Sequence, residues 1–202
     1  MIDASGAGLV RGGRRTLIVA GLTVILLVLG AMVAWRVVAA DAREKVTVTW
    51  SGPVECTGTT VEQARPDDEP ITAIRLREGM SCTLPVRVTN NSRFAVTVVR
   101  VRLPYMGPQA GPGVQVTQLG GTPVARPNAV DAVFRLRERL EPGAAYDFDI
   151  DFEFRPRGCT SPGVFWVAEF PQVRVLALGR PGVRKAWEAL GFLGTHDSDC
   201  SS

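Results

Sequence analysis

Histidine is almost absent from this chain of 202 residues, and lysine and tyrosine are scarce. His196 is the one histidine, and there are two lysines and two tyrosines. A single histidine excludes every site that needs two imidazoles, including the common catalytic zinc sites. The chain also has no glycine-rich phosphate loop and no two cysteines close enough for a zinc knuckle. We therefore assign no catalytic residue, no metal site and no cofactor from the sequence.

Net charge is small and unevenly distributed. The whole chain carries +3, which is too little to indicate a nucleic-acid partner. Residues 1–40 contain four arginines and one aspartate, so they hold all of this excess. Apolar residues make up 46% of the chain and charged residues 21%, a composition that favours a folded domain over disorder.

Charged side chains are missing from a long apolar run near the N-terminus. Residues 16–35 would span about 30 Å as a helix, which is the thickness of the hydrocarbon core of a bilayer. Arg14 and Arg15 precede the run, and Trp35 and Arg36 follow it at the expected headgroup level. Positive charge before a span favours a cytoplasmic N-terminus. We therefore predict a cytoplasmic tail at 1–15, a helix through the lipid bilayer at 16–38, a linker at 39–44 and an extracytoplasmic remainder.

A cleaved signal peptide is the alternative interpretation of the same segment. Small residues suit cleavage after Ala40 or Ala42, but the apolar core of a signal peptide is usually only about 7–15 residues long. We favour the uncleaved anchor, and either interpretation exports the rest of the chain.

All the cysteines lie beyond the apolar run, at Cys56, Cys82, Cys159 and Cys200. Four cysteines in an exported domain favour two disulfides over a metal site or free thiols. They allow three connectivities. We prefer Cys56–Cys82 with Cys159–Cys200 because each pair is nearest in sequence, and the second bridge would hold the tail at 195–202.

Residues 45–179 contain short alternating segments separated by glycine, proline and asparagine. This spacing predicts an antiparallel β-sandwich. The candidate strands are 45–50, 71–76, 82–89, 94–103, 114–119, 132–139, 146–155 and 164–178. A helix is predicted at 180–194, because Val183, Ala186, Trp187 and Leu190 recur at helical spacing after Pro181.

The clearest alternation lies in residues 146–154. Aromatic and aliphatic residues alternate there with four acids, Asp147, Asp149, Asp151 and Glu153, which we call the acidic stripe. The strand at 132–139 carries arginines on its polar side, and residues 141–143 have turn chemistry. We therefore predict a hairpin in which Arg137 faces Asp147 or Asp149. A calcium site is disfavoured, because alternate strand residues are about 6.6–6.8 Å apart.

Two segments resemble a recurrent pattern of bacterial immunoglobulin-like modules. Residues 76–104 have a Leu-x-x-Gly turn, an alternating strand that ends in Thr-Asn, and a polar turn into Val-Thr-Val; residues 140–154 are similar to a second such turn and strand. The resemblance implies an immunoglobulin-like fold of the kind found in adhesion and accessory domains, and it brings no catalytic residues. The long segment 104–131 and the predicted C-terminal helix depart from the pattern.

Three residues are the candidate partner contacts. Tyr105 and Met106 begin the segment 104–131, and a long loop in a compact domain is often functional. Trp187 is the aromatic candidate on the predicted helix. Asn90-Asn91-Ser92 matches a glycosylation triplet, but we interpret it as a turn between strands. His196 lies in a polar tail that is a poor support for a catalytic base.

These features favour a non-catalytic, membrane-anchored, extracytoplasmic binding or scaffold module. We expect it to be an accessory subunit of a membrane or cell-envelope assembly, with a protein partner. The alternative is a carboxylate-dependent envelope hydrolase that uses Glu153 or Glu169. That activity would need a cleft with two carboxylates about 5–10 Å apart, one of them with a raised pKa.

Overall fold

The computed structural model describes residues 10–66, 68–110, 113–124, 130–155, 158 and 163–194, with side chains from residue 18 onward. One helix, α1 (Val10–Glu44), precedes a domain built from strands. The strands are β1 (Val46–Trp50), β2 (Glu55–Thr57), β3 (Val61–Ala64), β4 (Ile71–Arg75), β5 (Ser81–Asn90), β6 (Val96–Leu103), β7 (Val114–Leu119), β8 (Thr122–Pro123), β9 (Ala132–Leu140), β10 (Ala145–Phe154), β11 (Gly163–Val167), β12 (Gln172–Ala177), β13 (Arg180–Lys185) and β14 (Leu190–Gly194).

The strands form three sheets around one core. The first sheet has the order β1-β5-β10-β7-β8 with β2 beside β5, the second is β11-β14-β4-β3, and the third is β13-β12-β6-β9. Neighbouring strands are antiparallel except for β14 and β4, which are parallel. Inward side chains of all three sheets share one continuous cluster, whose largest buried members are Phe134, Phe152, Phe170 and Phe192. A mainly β domain after one apolar helix is therefore confirmed.

The C-terminal helix predicted at 180–194 is wrong. The chain forms β13 and β14 there, and β13 closes a hairpin with β12 in which Ala177 pairs with Arg180. The two residues of the hairpin turn, Leu178 and Gly179, have φ angles of 48° and 74°, which a tight primed turn requires. The turn and the pairing with β12 hold the chain extended, so the apolar residues at helical spacing never form one face.

The hairpin predicted between 132–139 and 146–154 is also wrong. β9 pairs with β6 in the third sheet, whereas β10 lies between β5 and β7 in the first. The chain therefore crosses between sheets at residues 141–144. Asp147 faces Arg87 instead of Arg137, and Arg87 Nε and Nη2 donate to its carboxylate at 2.7 and 3.0 Å. These hydrogen bonds hold the pKa of the Asp147 carboxyl below its ordinary value.

A buried asparagine joins this crossing to another one. Asn90 ends β5 and is fully buried, just before the chain passes from the first sheet to β6 in the third. Its Nδ2 donates to the carbonyl oxygens of Phe94 (2.8 Å), Leu140 (3.0 Å) and Glu141 (3.2 Å). Its Oδ1 accepts from the backbone and hydroxyl of Ser92. The Asn-Asn-Ser triplet is thus a corner between strands, as predicted.

The helix is joined firmly to the domain. α1 continues through residues 39–44, which the sequence suggested as a linker, and Ala39 and Ala42 are fully buried. Arg43 Nη1 donates to the Pro181 carbonyl oxygen (2.6 Å). Gly182 leaves the room that Arg43 fills, since a Cβ there would lie 2.8 Å from its Cδ. The last turns of the helix therefore pack along β13.

The structure contains the preferred disulfide between Cys56 and Cys82, whose residues are paired across β2 and β5. Cys159 and Cys200 lie outside the described residues, as do His196 and the rest of the tail at 195–202. The second predicted bridge therefore stays a prediction.

Candidate functional site

The N-terminal helix has the length and composition of a membrane span. The most hydrophobic stretch of 18 residues within Ile18–Glu44 is apolar enough to cross a membrane and is not buried against the domain. Side chains such as Leu26 and Leu27 are 67% and 69% exposed. The exposed part continues to Val37, which is 63% exposed, and the ring of Trp35 near its end lies 4.9 Å from the Arg180 guanidinium in a cation–π contact. This part of the helix is available to lipid.

Trp187 is the most exposed large apolar side chain of the domain. It lies between β13 and β14 and is 95% exposed. The neighbours on either side are held inward, because the Ala186 amide donates to Pro171 O (3.2 Å) and Glu188 O accepts from the Phe170 amide (3.1 Å). With both neighbours fixed, the indole is directed outward.

Trp187 borders a shallow cavity of about 300 Å³. Val183, which is 54% exposed, adds an apolar wall, and the ion pair of Lys185 with Glu169 adds a polar one. The sequence did not identify Val183 as a contact residue, because only the aromatic residue of the predicted helix, Trp187, was chosen as a candidate. The arrangement can accept an apolar side chain of a partner beside an acidic or basic group.

Tyr105 and Met106 have different environments. Met106 is fully buried and its carbonyl oxygen accepts from the Val116 amide (2.9 Å), so it contributes to the core and cannot contact a partner directly. Tyr105 is 53% exposed and packs edge-on against Phe165, with 6.2 Å between ring centroids. Phe165 belongs to β11, so Tyr105 extends the surface of the second sheet. Tyr105 and Trp187 therefore contact different residues and are two separate candidate surfaces.

The segment 104–131 is partly built into the domain. Its strand β7, predicted at 114–119, pairs with β10 in the first sheet, and the Gly107 amide donates to Val130 O (2.8 Å). Backbone pairing at both ends means that these parts cannot act as a free binding loop. Tyr105 is the exposed aromatic that remains available there.

The carboxylates proposed for hydrolysis do not share a cleft. Glu153 lies on β10 and accepts from Gln115 Nε2 (3.0 Å), whereas Glu169 lies at the rim of the Trp187 cavity and pairs with Lys185. In the acidic stripe, Asp151 accepts from Thr83 Oγ1 (2.8 Å). Within the part of the chain that the structure describes, no group of three or more metal-ligating side chains could hold an ion.

Comparison with known proteins gives weak likenesses. No protein-family model matches the chain, and no curated protein matches it. Among solved structures, the structural genomics target SoR45 has a TM-score of 0.36 and 9% identity, over 76% of this chain and 89% of that one. Domain 7 of human CEP192, a PapD-like domain, has a TM-score of 0.32 and 16% identity, over 72% and 89%. The Vibrio cholerae VesB protease has a TM-score of 0.34 and 12% identity, over 67% of this chain and 31% of its own. At these TM-scores the likenesses do not support a function.

Proposed function

We propose that this chain is a single-pass membrane protein with an extracytoplasmic, immunoglobulin-like domain that binds a protein partner without catalysis. Its role is that of an accessory or scaffold subunit in a membrane or cell-envelope assembly. The observation that carries the proposal is the outward-directed Trp187, which is 95% exposed beside an apolar cavity wall. A tryptophan held outward by fixed neighbours matches the residues that dominate protein interfaces.

The position of Trp187 favours a protein over a lipid as its partner. β13 starts at Arg180, which contacts Trp35, and runs in the same direction as α1 past Arg43. Near its end, Arg184 Nε donates to Val46 O (2.9 Å), where the chain has already left the helix. Trp187 follows Arg184 by three residues, so it lies about 10 Å farther from the exposed part of α1 than Arg184 does.

The immunoglobulin-like assignment is part of the same proposal. It is supported by the two crossings between the first and third sheets, which Asn90 joins, and by the resemblance of residues 76–104. The hydrolase alternative finds no comparable support, because Glu153 and Glu169 lie on different elements and each already has a partner.

The test is affinity purification of the tagged full-length chain from its own membranes in mild detergent. We expect a stoichiometric protein partner with the wild type, and its loss with Trp187→Ala, since a tryptophan anchor at an interface contributes about 2 kcal/mol or more. The matched control is Trp166→Ala, because Trp166 is only 39% exposed and lies on β11. Tyr105→Ala tests the second surface.

Two results would contradict the proposal. Retention of the partner by the Trp187 and Tyr105 variants alike would remove both surfaces as the interface. Absence of any stoichiometric partner in repeated purifications would remove the scaffold role. Extraction of the chain by alkaline carbonate would separately refute the anchor, and protection of the domain from protease added to spheroplasts, from which any outer envelope layer has been removed, would refute its orientation.

A further inference from the structure

Arginines crowd the outward face of the third sheet. Arg174 of β12 is aligned with Arg100 of β6, which is aligned in turn with Arg135 of β9. Together with Arg137 they line a shallow depression of about 380 Å³, and we call these four residues the arginine face. Like charges directly opposite one another on neighbouring strands destabilise a sheet. The row is therefore unfavourable for the isolated domain, and an external anion would relieve it.

The arginine face is not neutralised from within the described residues. Two ion pairs form on the neighbouring parts of the third sheet, Arg102 with Asp131 and Arg139 with Glu141. Neither of them includes one of the four arginines of the face. Arg135, Arg137 and Arg174 are exposed. The acidic stripe that would have opposed them in the predicted hairpin belongs to the first sheet. The guanidinium groups are therefore free to bind an outside ligand.

The helix places the arginine face close to the membrane. Gly182 packs against Arg43, which lies about 12 Å along the helix beyond Trp35. Val183, the next residue, is aligned with Arg174. Arg174, the member of the row nearest the helix, is therefore about 12–15 Å above the level of Trp35, where an interfacial tryptophan is expected. Arg180, which begins β13 and contacts Trp35, lies lower still.

The acidic stripe lies farther from the membrane than Arg174 of the arginine face. Val46, the first residue of β1, is aligned with Asn90, and Thr49 is aligned with Arg87, which faces Asp147. The stripe therefore starts about 10 Å beyond Val46 and continues away from the helix for about another 20 Å. The arginine face thus lies nearer to the exposed segment of α1 than the acidic stripe does.

We propose that the arginine face binds the anionic phospholipid headgroups of the leaflet from which α1 emerges. Guanidinium groups match phosphate in a two-point geometry, and the free row offers several of them. The headgroup layer extends about 5–7 Å beyond the hydrocarbon core, and charges act across a Debye length of about 8 Å beyond it. A helix tilt of about 20° also brings one side of the domain closer to the membrane surface. The face therefore lies within electrostatic reach of the surface. The inference rests on α1 spanning a membrane, as in the proposed function.

The test uses the purified full-length chain in nanodiscs that contain phosphatidylglycerol and phosphatidylcholine. Native mass spectrometry counts the phospholipids retained by the released protein. Arg135→Gln/Arg174→Gln removes two charges from the face. The control, Arg65→Gln/Arg77→Gln, removes two exposed arginines that follow β3 and β4 of the second sheet. All other arginines, including Arg36 beside the apolar run, are the same in every variant.

We expect wild type and control to retain phosphatidylglycerol preferentially, and this enrichment to fall about fivefold or more in Arg135→Gln/Arg174→Gln. Equal enrichment in that variant and the wild type, with an unchanged unfolding midpoint, overturns the inference. The inference is also overturned if Arg135→Gln/Arg174→Gln loses an acidic protein that co-purifies with the wild type from native membranes while its lipid enrichment is unchanged. That result assigns the arginine face to a protein partner. A chain that fails to integrate into membranes refutes the proposed function first, before any lipid is counted.

Discussion

The buried side chain of Asn90 gives a prediction that can be worked out from its contacts. Asn90→Ala removes donors to the carbonyl oxygens of Phe94, Leu140 and Glu141, and the acceptor for Ser92. Each buried polar group that loses its partner costs about 1–3 kcal/mol. Because two N–H groups serve the three carbonyls and water can replace part of the loss, we expect the unfolding free energy to fall by about 3–5 kcal/mol. That is a large share of the usual 5–15 kcal/mol for a domain.

The neighbouring residue is the matched control. Asn91 is exposed, and its Nδ2 donates to Thr47 Oγ1 at 3.2 Å. Asn91→Ala should therefore change the unfolding free energy by about 0.5 kcal/mol or less. Asn90→Asp keeps an acceptor for Ser92 but loses both donors and puts a negative charge beside three carbonyl oxygens. We expect it to destabilise the domain at least as much as Asn90→Ala.

Urea unfolding of the full-length chain in detergent measures both effects. Trp50 is a suitable fluorescence reporter, since its indole Nε1 donates to Phe170 O (2.8 Å) inside the domain. A decrease of less than about 1 kcal/mol for Asn90→Ala, similar to Asn91→Ala, would refute the idea that this side chain holds the two crossings together.

The disulfide and one surface ion pair give two further predictions. Cys56→Ala/Cys82→Ala removes a disulfide that closes a loop with a sequence separation of 26, and it should lower the free energy of unfolding by about 3–4 kcal/mol in the same urea experiment. The same unfolding midpoint for the variant and the oxidised wild type would contradict this. The folded-state pKa of Asp147 is lowered by Arg87, so its stabilising contribution is present above the ordinary aspartate pKa of 3.8 and is lost as pH falls through the lower folded value. The difference in melting temperature between wild type and Asp147→Asn should therefore shrink from pH 6 toward about pH 2, and a gap that does not vary with pH would show that the charge is irrelevant.

The apolar helix, several strands and one disulfide could be predicted from the sequence, because each depends on residues that are close together in the chain. The uncharged run at 16–35 is enough to predict a helix of membrane-spanning length, since each residue contributes a fixed rise and the segment satisfies its own hydrogen bonds. The alternation in β5, β7 and β10 likewise predicts strands, because one face of each must enter the core. The nearest cysteines, Cys56 and Cys82, were also the correct pair.

The partner of each strand was decided only by the tertiary structure. The turn at 141–143 has the chemistry of a hairpin, yet the chain there crosses from the third sheet to the first, because β10 is already flanked by β5 and β7. That choice separates the arginines of β9 from the acidic stripe. It leaves an arginine face beside the helix that no sequence pattern revealed.

The same limit explains the error at the C-terminus. The helical spacing of Val183, Ala186, Trp187 and Leu190 is a local signal, whereas β14 forms because it pairs with β4, more than a hundred residues earlier in the chain. Pairing over such a distance contributes nothing to a local pattern, since it becomes favourable only once the core has assembled. The sequence alone thus determined an apolar helix of membrane-spanning length and the β-rich class, and only the assembled sheets decided that Trp187 points outward and Met106 inward.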